Sequence, residues 1–152
     1  EFLGHTDPVA KGYRVYAPAV SKEDLAKELR LRLDGADLVI SRGSSGEYWH
    51  PAHLLVFDAV GLALEEKNCA WMTMMARDPD HPMPRLVNFD DPADLQIDVA
   101  GSRAQRSAAL QCHDSQLGLF GRFASGTWED FLDQTARESY HLRQPLKDRG
   151  IG

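Results

Sequence analysis

The sequence predicts an α/β fold, a single three-layer domain with a mixed, mostly parallel sheet between helices. Three observations support this prediction. Predicted strands and helices alternate along the first half of the chain, the helix predicted from residue 51 is apolar almost all round, and residues 69–75 are apolar on both alternating faces. A strand of that kind is covered on both sides, which is typical of a parallel sheet.

The length of the chain fits one domain. The chain has 152 residues, and single domains commonly have about 100–200. Residues 1–11 combine glycine, proline and polar side chains without periodicity, so we interpret them as a lead-in segment and residues 12–152 as one α/β domain. Because the chain begins with Glu1 and Phe2 and not with methionine, we also expect a processed or recombinant fragment of a larger protein.

The first helix is predicted near residues 21–34. Ser21 followed by Asp24 forms a capping pattern, in which a hydroxyl accepts a hydrogen bond from the backbone three residues later. Leucines then recur at helical spacing until Gly35, a residue type that commonly ends helices.

Two further helices are predicted near residues 51–67 and 127–143. Pro51 suits the first turn of the former, where a missing amide proton costs little. In the latter, Thr127 can cap the first turn, and an apolar stripe follows until Pro145 ends the segment.

Short strands are predicted from alternating or continuous apolar patterns. They lie near residues 13–17, 37–41, 69–75, 85–89 and 95–99. A weaker helical pattern covers residues 103–111, and the proline-containing run at residues 90–92 is predicted to end the fourth strand.

Charge and composition exclude several classes of protein. The formal net charge is −6 and no dense run of lysine and arginine is present, so nucleic acid is not an expected partner. No apolar stretch reaches the roughly 20 residues that cross a bilayer, so we expect a soluble protein without a membrane segment. Cys69 lies in an apolar run, and with Cys112 as the second cysteine we predict reduced thiols and a cytoplasmic location.

The segment 41–53 is the leading candidate site, because it gathers polar and aromatic side chains between a buried strand and a buried helix. The amides of its glycine-serine turn and a guanidinium would hold an anion, while aromatic rings would stack on a planar group. The predicted ligand-binding residues are Arg42, Gly43, Ser44, Ser45, Tyr48 and Trp49. The alternative is an ordinary surface turn.

The segment matches no complete catalytic signature. It lacks the Gly-Lys-Ser or Gly-Lys-Thr of a Walker loop, the dinucleotide glycine fingerprint and the Gly-x-Ser-x-Gly nucleophile elbow. Within it we predict Glu47 and His50 as catalytic residues, because a carboxylate flanked by aromatic rings can act as general acid, general base or nucleophile. A second carboxylate would come from Asp58, Asp78 or Asp80. An exposed loop acid is the alternative for Glu47.

Two other groups of residues resemble chemical sites. His50 and His53 stand three residues apart, a spacing that can put two imidazoles on one side of a helix start. No third ligand follows from the sequence, so we predict no metal and no cofactor. Cys112, His113 and Asp114 resemble a nucleophile, base and orienter, but adjacent side chains point in different directions, so no triad is predicted.

These observations leave three functional hypotheses. The first is a small hydrolase or glycosyl- or phosphoryl-transfer enzyme, whose pocket at residues 42–53 binds an anionic or nucleotide-like small molecule. The second is a non-catalytic protein-interaction domain, such as a regulatory, effector or immunity-type module of a bacterial system, with exposed aromatic side chains binding a protein partner. The third is an accessory domain of a larger enzyme.

Overall fold

The computed structural model describes residues 20–82, 87–113 and 126–146, together with residues 117, 118 and 120 and the backbone of residues 2–4 and 14–16. The rest of the predicted lead-in, the first residues of the strand predicted at 85–89, and Asp114 lie outside the described residues.

Strands and helices alternate over the first half of the chain, as predicted. In chain order the elements are β1 (Phe2–Gly4), β2 (Arg14–Tyr16), α1 (Lys22–Arg32), β3 (Leu38–Ser41), α2 (Gly46–Trp49), α3 (Pro51–Leu64), β4 (Ala70–Met74), β5 (Ala76–Arg77), β6 (Asn88–Pro92), β7 (Leu95–Asp98), α4 (Arg103–Gln111), α5 (Trp128–Gln134) and β8 (Arg137–Gln144). The run at 90–92, predicted to end a strand, instead lies inside β6.

The central sheet has four strands in the order β3-β4-β8-β7. β3 and β4 are parallel, with Val39 opposite Trp71, whereas β8 pairs antiparallel with both β4 and β7. β1 and β2 form a small antiparallel sheet, and β5 and β6 a small parallel one. The α/β class is confirmed, but the central sheet is mostly antiparallel, so the prediction of a mostly parallel sheet is wrong.

The helix predicted at 127–143 is wrong after residue 134, where α5 ends and β8 soon follows. The Arg106 guanidinium donates to the Leu132 carbonyl at 3.3 Å and to the Thr135 carbonyl at 2.6 Å. These bonds satisfy carbonyls that a longer helix would need. Because Arg106 and both partner strands of β8 are distant in sequence, the local apolar stripe could not indicate this ending.

The other predicted helices are confirmed with small changes of boundary. α1 begins after Ser21, whose hydroxyl accepts from the Asp24 amide at 3.1 Å. α3 begins at Pro51 and ends at Leu64, and α4 coincides with the helical pattern at 103–111. No helix in the described part of the chain is both long and apolar enough to cross a membrane.

One face of the central sheet is covered by α3, against which α1 packs. Small side chains line the contact between the two helices and let them approach closely: Ala26, Ala59 and Ala63. Val39 and Cys69 join the core from the sheet side. Burial raises the pKa of the Cys69 thiol, and the nearby Asp37 carboxylate adds to that shift, so this thiol stays protonated at neutral pH.

The opposite face of the sheet carries aliphatic side chains that are 41–48% exposed: Leu38, Ile40, Leu95, Ile97 and Leu142. Within the described ranges no third layer covers these side chains, so the three-layer part of the fold prediction is not confirmed.

Replacing Thr127 with alanine tests the start of α5. The Thr127 hydroxyl accepts from the Asp130 amide at 3.2 Å, and the Asp130 carboxylate accepts from the Thr127 amide at 2.7 Å. Loss of a helix cap costs about 1 kcal/mol, so we expect Thr127→Ala to lower the free energy of unfolding by about that amount at neutral pH, measured by urea denaturation.

The effect of this substitution should depend on pH. The Asp130 carboxylate accepts hydrogen bonds from the Thr127 amide and, at 2.8 Å, from the Thr127 hydroxyl, and these two bonds lower the pKa of Asp130. The contribution of its carboxylate is therefore fully present above the unfolded-state pKa and is lost as the pH falls through the folded-state pKa. The difference between wild type and Thr127→Ala should shrink in acid, and an equal difference at both pH values would contradict the paired cap.

Candidate functional site

The segment predicted as the site joins the carboxyl end of β3 to the amino end of α3, at the edge where the parallel strands β3 and β4 end. Within it, α2 is a single distorted turn. Gly46, Glu47 and Trp49 have φ angles of 58°, 59° and 62°. Glycine adopts such angles freely, but each of the other two residues pays about 1–3 kcal/mol, so surrounding contacts must hold the turn in place.

Glu47 is 3% exposed and lies at the centre of these contacts. Its Oε2 is 2.5 Å from Nδ1 of His53 and 3.8 Å from Nη1 of Arg42. Its Oε1 accepts from the Gly43 amide at 3.3 Å and from Nδ2 of Asn88 at 3.4 Å. Donors therefore surround both oxygens of a carboxylate that is almost fully buried.

Asn88, at the start of β6, connects the turn to the end of β4. Its Oδ1 accepts from the Ser45 amide, the Ser45 hydroxyl and the Glu47 amide, each at 3.1 Å. Its Nδ2 donates to the carbonyls of Met74 at 3.0 Å and Met75 at 3.2 Å. Since donors meet one end of the carboxamide and acceptors the other, the network fixes its orientation.

Asp91, also on β6, holds the neighbouring residue of the turn. Its carboxylate is fully buried and accepts from the Ser44 amide at 3.1 Å, the Ser44 hydroxyl at 2.5 Å and the Thr73 hydroxyl at 2.9 Å. It also forms an ion pair with Arg143, whose guanidinium lies 5.1 Å from the centre of the Phe57 ring. The negative charge is thus compensated inside the protein.

The amides predicted to hold an anion all have acceptors within the protein. Gly43 donates to Glu47, Ser44 to Asp91, Ser45 and Glu47 to Asn88, and Gly46 to the Gly43 carbonyl. A ligand anion would have to displace these acceptors. The ligand-binding role of Gly43, Ser44 and Ser45 stays a prediction, and their observed contacts orient the turn.

Three other predicted residues lie at the surface of the segment. The side chain of Arg42 is 41% exposed, and Tyr48 and Trp49 are 44% and 49% exposed. The Tyr48 ring meets the rings of His50 and His53 edge-on, with centroids 5.6 and 5.5 Å away. A guanidinium, a phenol and two imidazoles are therefore close together. Trp49, which follows Tyr48 in the sequence, is also half-exposed.

The structure brings His53 to Glu47, whereas the sequence paired Glu47 with His50. Nδ1 of His50 accepts from the Ala52 amide at 3.2 Å and caps α3. The two imidazole rings lie 4.6 Å apart, so His50 borders the site through His53 and Tyr48.

Sequence reasoning missed Asn88 and Asp91 as supports of the segment. Asn88 is 41 residues from Glu47, and Asp91 is 47 residues from Ser44. A carboxamide and a carboxylate inside a strand were the available signal, because such groups enter a core only with hydrogen-bond partners.

Two of the three other acidic residues considered for chemistry have partners elsewhere. Asp58 lies 3.9 Å from Lys22, and the buried Asp78 carboxylate lies 2.5 Å from the Arg137 guanidinium. Among the residues that the structure describes, no group of three or more His, Cys, Asp or Glu side chains is arranged to hold a metal ion.

Adding a methyl group at Gly43 tests the close fit of the turn against β6. A Cβ at this position would overlap the Asn88 side chain. Overpacking of this kind typically costs about 1–3 kcal/mol, so we expect Gly43→Ala to lower the free energy of unfolding by that amount in urea denaturation. Gly101→Ala is the matched control, because a Cβ there meets no atom within 4 Å. Equal stability of the two variants would contradict the fit.

The pKa of Tyr48 reports on the charges around it. Burial raises this pKa, Arg42 lowers it in part, and Glu47 adds to the rise. We therefore expect Arg42→Ala to raise the pKa of Tyr48 further and Glu47→Gln to lower it, as measured by pH titration of the Tyr48 ring resonances in NMR. Arg103→Ala, which removes a guanidinium paired with Asp133, should leave it unchanged. A Tyr48 pKa that responds to neither Arg42→Ala nor Glu47→Gln would contradict this arrangement.

Comparison with known proteins finds no relative of this chain: no protein-family model, no curated protein and no solved structure matches it. A function can therefore be inferred only from the geometry of residues 42–53 and of the side chains that hold them.

Proposed function

We propose that residues 42–53 bind a small anionic molecule with a planar ring, such as a nucleotide, and that the protein catalyses hydrolysis or group transfer at a glycosidic or phosphate centre of that molecule. One observation carries this proposal. A half-exposed Arg42 guanidinium stands 3.8 Å from the buried Glu47 carboxylate and close enough to the half-exposed Tyr48 to affect its pKa, and the half-exposed Trp49 follows Tyr48 in the sequence.

Arg42 supplies the preference for an anion. Its contact with Glu47 is a single pair of atoms at 3.8 Å, longer than a charge-assisted hydrogen bond, and 41% of the side chain remains exposed. A guanidinium presents five N–H donors in a planar fork that matches phosphate and carboxylate oxygens. The nitrogen that contacts Glu47, Nη1, donates to Sδ of Met74 at 3.7 Å, so Arg42 is held at one nitrogen and keeps its other donors for a ligand.

The exposed aromatic residues supply the preference for a ring. Tyr48 and Trp49 follow Glu47 directly and are both about half-exposed. Aromatic faces stack on planar groups, and neighbouring guanidinium groups strengthen such contacts. The positive φ of Trp49 supports this interpretation, because strained backbone concentrates at binding and catalytic sites.

Reaction chemistry is supported by the hydrogen-bonded pair of Glu47 and His53. A buried carboxylate that contacts an imidazole is a recurring arrangement in general acid–base catalysis. The 2.5 Å contact between Nδ1 and Oε2 lies close to Tyr48, whose ring meets the His53 ring edge-on with centroids 5.5 Å apart.

A protein-interaction domain is the second candidate. The observation that favours it is the aliphatic face of the central sheet, where Leu38, Ile40 and Leu142 are 41–48% exposed. Contiguous exposed apolar surface often marks a protein–protein contact. Tyr48 and Trp49, which are 44% and 49% exposed, would be the aromatic side chains available to such a partner.

Titration with a panel of nucleotides and sugar phosphates separates the two candidates. For a small-molecule site we expect NMR shift changes concentrated at residues 42–53. Loss of a charge-assisted hydrogen bond costs about 1.5–3 kcal/mol, so Arg42→Ala should weaken binding by roughly 10–100-fold. Trp49→Ala should weaken it as well.

Arg103→Ala is the control for loss of one positive charge, because its guanidinium is similarly exposed and pairs with Asp133. It should leave binding unchanged. Absence of binding across the whole panel would contradict the small-molecule site and favour the interaction domain.

A further inference from the structure

We propose that His53 is the proton-transferring group of this site and that Glu47 is the residue that positions it. Glu47 and His50 are the residues that the sequence predicts to be catalytic. The contacts of the three side chains instead favour His53 as the group that transfers the proton. This inference rests on the proposed function in one respect, namely that residues 42–53 hold the substrate.

Glu47 is poorly placed to exchange protons with a substrate. Only 3% of it is exposed. Oε1 faces two donors, the Gly43 amide and Nδ2 of Asn88, and Oε2 faces His53 and Arg42. The surrounding donors hold the Glu47 carboxylate in a fixed position as a hydrogen-bond acceptor. A carboxylate held in this way is suited to orient the His53 ring.

His50 has a structural task. Its Nδ1 accepts from the Ala52 amide and so satisfies one of the free amides at the start of α3. With Nδ1 accepting, the proton of a neutral His50 ring lies on Nε2, and that ring has no basic nitrogen left to receive a proton.

His53 has the opposite arrangement. Its Nδ1 lies 2.5 Å from Oε2 of Glu47, and because a carboxylate only accepts, Nδ1 carries the ring proton. In the neutral ring the lone pair is then on Nε2, and no hydrogen bond to Nε2 is present within the described residues. The side chain is 19% exposed, and its ring lies beside those of Tyr48 and His50. His53 thus carries a basic nitrogen on a ring that contacts the same Glu47 oxygen as Arg42, the residue proposed to hold the anion.

The reaction step uses this nitrogen twice. Nε2 takes a proton from water as the water oxygen forms its bond to the phosphorus or anomeric carbon of the substrate. The bond from that atom to the leaving oxygen breaks, and the imidazolium returns the proton to the leaving oxygen. Water is consumed, the substrate is divided, and His53 ends neutral as it began. Glu47 accepts the hydrogen bond from Nδ1–H and so stabilises the transient imidazolium.

The surroundings of Glu47 make one substitution diagnostic. In Glu47→Gln the carboxamide has one acceptor and one donor end. The Gly43 amide and Nδ2 of Asn88 both donate toward the Oε1 position, so they retain the oxygen there and direct the NH₂ group toward His53. Nδ1 of His53 must then accept, and the ring proton moves to Nε2. Glu47→Gln therefore keeps the shape of the side chain at position 47 but exchanges the tautomer of the His53 ring.

The test is the ¹⁵N NMR spectrum of the imidazole side chains of the folded protein, at a pH where the rings are neutral. We expect the Nδ1–H tautomer for His53 in the wild type and the Nε2–H tautomer in Glu47→Gln. An Nε2–H tautomer in the wild type would overturn the inference even if the variant failed to fold. A tautomer that stays unchanged in the folded variant would overturn it as well.

Carbethoxylation by diethyl pyrocarbonate, read by peptide mass spectrometry, measures the basic nitrogen directly. His53 should react in the wild type and lose its reactivity in Glu47→Gln, while the exposed His113 reacts equally in both and serves as the internal control. Unchanged reactivity of His53 would contradict the role of Nε2. Failure of the nucleotide panel to bind would reject the proposed ligand and leave these results standing, so the two failures are distinguishable.

Discussion

The candidate site depends on the hydrogen bonds of the buried Asn88 carboxamide. The carboxamide is fully buried, accepts three hydrogen bonds from Ser45 and Glu47, and donates to the carbonyls of Met74 and Met75. Leaving a buried polar group without a partner costs about 1–3 kcal/mol, so the carboxamide and the turn are stable only together. The end of β4, the start of β6 and the turn after β3 therefore form one unit, and the position of Glu47 follows from that unit.

A second constraint comes from Asp91, whose buried charge is compensated by Arg143, Thr73 and Ser44. This polar network occupies the covered face of the central sheet, while aliphatic side chains such as Ile40 lie half-exposed on the other face. The covered face therefore carries a buried polar network beside the apolar core that α3 forms with the sheet. The directed hydrogen bonds of this network fix the geometry at the edge of the covered face, where the site lies.

Much of the fold follows from local sequence signals, and the site follows only in part. The capping serine of α1 and the proline of α3 are local, so both helix starts were predictable. The strand at 137–144 was not, because Arg106 ends the preceding helix from a distance and two strands then pair with this one. The segment 41–53 was located from its composition, whereas its supports at Asn88 and Asp91 depend on contacts across more than forty residues. His53 was visible as a histidine, but its partner depends on the distorted turn between them.

The energetic cost of the segment is concentrated where its chemistry would be. Glu47 and Trp49 adopt positive φ angles, and Glu47 also buries a carboxylate. Glycine at position 47 or 49 would relieve the backbone strain, and an exposed acid at position 47 would avoid the cost of desolvation. Departures from local preference that the surroundings compensate are typical of functional sites. Here the compensating contacts run from Asn88 through Glu47 to His53, so the effect of the buried network is to fix the orientation of an imidazole that still reaches the surface.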